Sequence, residues 1–132
     1  MNKRIEEEFV KNYIVSSKRD RLLFELHGKK RIEGIGRFCH CADGFFIESA
    51  IKLSGKHITD ELQKAIKKSK ENKCYIISFY EDIDGTEIGK NEVLDAIIGR
   101  GMPSIAVFDD FAILETEQEQ GAAMKFLLQR QD

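Results

Sequence analysis

Long hydrophobic runs, cysteine and proline are all scarce in this sequence, and each scarcity removes a class of protein. No uninterrupted apolar stretch approaches the roughly 20 residues that a bilayer span requires, so no membrane-spanning helix is expected. The start of the chain, Met1-Asn2-Lys3-Arg4, runs into Glu6-Glu7-Glu8 rather than into an apolar segment, which argues against a secretory leader. Cys39, Cys41 and Cys74 are too few and odd in number for a disulfide framework, so free thiols and a cytoplasmic location are expected. With one proline and 10 glycines in 132 residues, neither disorder nor a fibrous repeat fits. The profile is that of a small bacterial protein whose residues 1–132 form a single globular domain around one core.

Catalytic signatures are missing as well. There is no G-x-S-x-G elbow, and Gly34-x-Gly36 lacks the third glycine of a dinucleotide fingerprint. Cys39-His40-Cys41 offers zinc-type donors, but no second ligand pair with metal spacing follows. No metal is therefore assigned, and no cofactor is implied. The segment Glu81 to Glu87 contains D-x-D-G but is much shorter than a calcium loop with its distant bidentate glutamate, so it reads as a solvated acidic loop.

What is present is a division of charge. Residues 1–80 carry 17 Lys/Arg against 11 Asp/Glu, whereas residues 81–132 carry 4 against 12. Two halves of opposite sign either pair internally or offer faces to oppositely charged partners.

Periodicity then places the elements. Ile5, Phe9, Tyr13 and Ile14 predict a helix over 5–14, and a second helix runs from a Ser17 cap through Leu22, Leu23 and Leu26 to Gly28. Residues 29–48 have two readings. Ile32, Ile35, Phe38 and Cys39 recur at helical intervals, but Gly34 and Gly36 weaken a helix, and Asp43-Gly44 suits a hairpin joining 35–41 to 45–47. The hairpin is preferred. Thr59 suits the cap of a helix to Glu71 with Leu62, Ala65 and Ile66 inward and its lysines outward. The apolar run 74–80 predicts a strand buried on both faces. A short helix capped by Asn91 and ended at Gly99, then a strand over 104–108, suggests a parallel pair with a crossover. Asp109-Asp110 turns the chain into an antiparallel strand over 111–117, and 124–128 reads as a last strand, although Ala122-Ala123-Met124 also suits a helix. The class expected is α+β: a mixed sheet of about four strands in the C-terminal half, covering helices and a helical N-terminus.

Four residues are candidates for catalysis. His40 titrates near physiological pH and suits a general base, with Arg37 three residues earlier to hold an anionic group. Glu115 and Glu117 continue the inward row of Phe111 and Ile113, where carboxylates can bind a metal or a cationic partner, the alternative being a solvated strand end. Lys30 and Arg31, beside Gly28, Gly34 and Gly36, are candidates for binding phosphate. Two functions follow. The first is a non-catalytic binding or regulatory module whose acidic C-terminal half meets a protein partner with a basic surface. The alternative is an enzyme acting on a phosphorylated or nucleic-acid substrate in a cleft shared by these basic and acidic groups. The negative net charge argues against nucleic acid as a general partner.

Overall fold

A run of apolar residues with no polar alternation must be covered on both sides, and 74–77 is such a run. In the computed structural model, which describes residues 1–40, 45–47, 50–53, 57–116 and 125–130, Lys73–Ser78 forms strand β2 and is buried from Cys74 onward. Tyr75 and Ile77 face one helical layer, and Cys74 and Ile76 face another.

The first layer contains α1 (Lys3–Tyr13), α2 (Ser16–Leu26) and α3 (Arg31–Gly36). Helix α1 opens on a cap, Asn2 Oδ1 accepting from Ile5 N at 3.2 Å, and buries Phe9, Val10 and Tyr13 on one face. The second layer contains α4 (Ile58–Lys68), with Leu62 and Ile66 inward, and the short α5 (Val93–Ile97), which ends before Gly99 at φ +82°. Between the layers runs a six-stranded sheet in the order β1-β6-β5-β4-β2-β3, where β1 is Ala50–Leu53, β3 Glu87–Gly89, β4 Ser104–Val107, β5 Phe111–Glu115 and β6 Lys125–Gln129. The fold is α+β with a helical N-terminus. No helix among the described residues is long and apolar enough to cross a membrane.

Three expectations change. The pair β2 and β4 is antiparallel, Tyr75 opposite Val107 and Ser78 opposite Ser104, and every other strand pairing is antiparallel too. The crossover through α5 starts instead from β3, a strand of three residues too short to register as a periodicity. Since β3 and β4 both run opposite to β2, the crossover does join strands of one direction, with β2 between them.

Residues 31–40 are helical rather than half of a hairpin: α3 continues into a 3-10 turn, Arg37–His40. Of the two glycines that weakened this reading, Gly34 has a packing role. A Cβ on Gly34 would stand 3.0 Å from Glu25 Cβ and 3.4 Å from Leu26 N, so glycine is what lets α3 lie against α2. The proposed turn at Asp43-Gly44 lies outside the described residues. The caps expected of Ser17, Thr59 and Asn91 are not formed, and α2, α4 and α5 begin without a side-chain cap. At α2 tertiary pairing sets the start: Val15 N donates to Phe45 O at 3.1 Å, and Ile14 bridges Phe46.

Candidate functional site

The basic residues singled out from the sequence enter the framework. Arg31 donates to Asp84 Oδ2 from Nε at 2.7 Å and to Asp84 Oδ1 from Nη2 at 2.9 Å. It donates to Glu6 Oε1 and Oε2 at 2.7 and 2.9 Å, and to Leu26 O at 3.0 Å. These bonds use all five guanidinium N–H groups, so none is left over for a phosphate. Burial opposes the charge on Arg31, but the hydrogen bonds to Asp84 and Glu6 outweigh it and hold its pKa above the ordinary value. Glu6 is fully buried and also accepts from the Tyr75 hydroxyl at 2.6 Å, while Asp84 accepts from Ser78 N at 3.0 Å. One arginine thus ties α1, α2 and the β2–β3 loop together.

Arg37 is paired with Glu25, donating from Nε to Oε1 and from Nη2 to Oε2 at 2.9 Å. Hydrogen bonding to Arg37 holds the Glu25 carboxyl below its usual range, against the effect of its burial. Lys30 is exposed. Glu117 and the side chain of His40 lie outside what the structure describes.

Glu115 is buried at the end of β5, on the face of α4 and α5. Its Oε1 accepts from Gly99 N at 2.8 Å; Oε2 lies 3.5 Å from Lys125 Nζ and has no hydrogen bond among the described residues. In register across β2, β4, β5 and β6 stand Ser78, Ser104, Glu115 and Lys125, with the two serine hydroxyls 2.8 Å apart. Arg31 and Arg37 belong to the helical layer on the other face, so the cleft in which they were expected to meet Glu115 is not formed. A sheet one residue thick separates them.

A different group of side chains does share a cleft. Helix α1 supplies Ile5, Phe9 and Tyr13, four residues apart and therefore on one face, with Glu8 and Asn12 at the edge. The approach to β2 supplies Glu71, β2 itself Lys73, β3 Glu87, and the β4–β5 turn Phe108 and Asp109. Arg130, whose N–H donates to Asp110 O at 3.1 Å, completes a cavity of about 200 Å³.

The electrostatics of this cleft are uneven. A hydrogen bond with Asp109 is the largest effect on Glu71, followed by burial and the charges of Asp109, Asp110 and Glu87, and together they raise its pKa to about 7. Protonation of Glu71 relieves its repulsion from these neighbours. Tyr13, on the α1 side of the same cavity, is 1% exposed, and its hydroxyl has no hydrogen-bond partner among the described residues. Burial pushes the Tyr13 phenol up to about 12, Arg130 opposing and Asp110 adding to the effect. Cys74, also on the wall, is a buried free thiol pushed up to about 12 by burial, and so is unreactive.

Periodicity assigned Tyr13 to the core, Glu71 to a helix end and Asp109 to a turn. The antiparallel register is what brings them together. Tyr75 opposite Val107 sets residue 73 against 109 when the ladder is extended, whereas a parallel pair would put the start of β2 beside Ser104. Compared with protein-family models, with curated proteins and with solved structures, the chain has no significant match.

Proposed function

We propose that this protein is a non-catalytic binding module that presents acidic groups of its C-terminal half, joined by Glu71, to a protein partner with a basic surface. The observation that carries the reading is the crowding of exposed carboxylates at one end of the sheet. Glu71, Glu87, Asp109 and Asp110 stand close enough that Glu71 retains a proton to about pH 7. Carboxylates in that arrangement gain most from an incoming cation, since it removes their mutual repulsion as well as pairing with them. Arg31 and Arg37 do not neutralise this end, because they are spent on Glu6, Asp84 and Glu25.

The test is titration of a fluorescent basic nonapeptide at low and physiological salt, read by anisotropy. Binding is expected at low salt and should weaken steeply as salt is added, because exposed charges are screened beyond roughly 10 Å at 0.1 M ionic strength. No binding at low salt, or affinity indifferent to salt, would overturn the reading.

A further inference from the structure

We infer that the cleft between α1 and the start of β2 is a receptor for a single arginine side chain of the partner, its guanidinium held by Glu71 and Asp109 with the Tyr13 hydroxyl on the floor. The inference rests on the binding-module reading and specifies its site and ligand chemistry.

The protein itself supplies the precedent. Its own Arg31 sits between two carboxylates, Glu6 and Asp84, and a tyrosine hydroxyl, Tyr75, completes the surroundings by bonding Glu6. Glu71, Asp109 and Tyr13 likewise place two carboxylates and a tyrosine in the lining of one cavity. A planar fork of N–H donors can engage two carboxylates at once, which an ammonium point charge cannot do as well.

The acids alone would be an unremarkable exposed cluster. Tyr13 is what distinguishes the site: a buried hydroxyl without a partner is costly, and Tyr13 lines the cavity together with Arg130. A ligand N–H reaching it removes that cost. Apolar walls from Ile5, Phe9 and Phe108 suit the methylene stem of an arginine. Lys73 and Arg130 also line the cavity and oppose a cation, so they set an upper limit on affinity.

The experiment uses an N-acetylated, C-amidated nonapeptide of alternating glycine and arginine, its lysine counterpart, and the full chain. E71Q/D109N is expected to weaken the arginine peptide at least tenfold, Tyr13→Phe several-fold, and Lys73→Gln to tighten it. E92Q/D95N, which removes two exposed acids outside the cleft, should change affinity less than twofold. Tyr13→Phe deletes only an unpartnered hydroxyl, so its melting temperature should equal or exceed that of the parent. If that variant fails to fold, E71Q/D109N still decides. Peptide binding that survives E71Q/D109N but falls with E92Q/D95N would overturn the cleft while leaving the acidic module standing. Equal binding of the lysine peptide would overturn the guanidinium assignment, and no binding of either peptide would remove the underlying reading as well.

Discussion

At the scale of single residues, the group with the clearest titration signature is Glu71. Its folded pKa is raised to about 7 from an ordinary 4.5 by Asp109 first, then by burial and by Asp110 and Glu87; Glu8, Lys73 and Arg130 also face the cleft. A carboxyl raised in the folded state contributes stability that is complete below about pH 4.5 and is lost as pH rises through about 7. Melting temperature should therefore fall between pH 5 and pH 8, and in Glu71→Gln that fall should be smaller. The check is a set of thermal melts of the two proteins across this range. An identical pH dependence would show that Glu71 and Asp109 do not share a proton. None of this was legible from the sequence, in which Glu71 and Asp109 are 38 positions apart. The acidic C-terminal half was legible, since it requires only counting.

At the scale of elements, α3 is the most instructive. Its sequence, Arg31-Ile-Glu-Gly-Ile-Gly36, contains two glycines of opposite consequence. Gly34 is pressed against Glu25 and Leu26, whereas a Cβ on Gly36 would meet nothing within 4 Å. Gly36→Ala should thus stabilise by about 0.5–1 kcal/mol through helix propensity alone. Gly34→Ala should destabilise, by about 1–3 kcal/mol for overpacking, although propensity favours it equally. Urea denaturation of the two variants reads the difference directly. Two stabilised variants would mean that α2 and α3 are not in close contact. Propensity cannot separate these glycines, and for the same reason it favoured a hairpin over 35–47. The intervals of Ile32, Ile35 and Phe38 held the helical signal, but what overrides the glycine penalty is contact with α2, which no local pattern encodes. Helices α1, α2 and α4 were readable because each carries a continuous apolar face.

For the molecule as a whole, the sheet is the shared wall of two cores, and β2 contributes side chains to both. Ile77 is fully buried beneath α1–α3, while Lys67 lies on the exterior of α4. Ile77→Ala should cost about 2–5 kcal/mol by opening a cavity in the first core, and Lys67→Ala should be nearly neutral. Denaturation midpoints that coincide would contradict a sheet covered on both faces. The two-sided burial followed from an apolar run without alternation, whereas the direction of pairing did not. Antiparallel and parallel neighbours bury the same side chains, so hydrophobicity does not distinguish them. The three residues of β3 were enough to move the crossover by one strand.

The sequence alone determined composition-level facts: an α+β class, a helical N-terminus, a strand buried on both sides, and a C-terminal half rich in acid. Each depends on residue type and on spacing along the chain, and both survive without coordinates. Tertiary structure alone decided which charges cancel and which remain. Arg31, well placed in sequence for an anion, has all five N–H groups occupied by Glu6, Asp84 and Leu26, and Glu115 points away from both Arg31 and Arg37 across the sheet. Glu71, Asp109 and Tyr13 meet because the β2–β4 register is antiparallel. Pairing energy depends on distance and burial, and for residues remote in sequence both are set by strand register and helix packing.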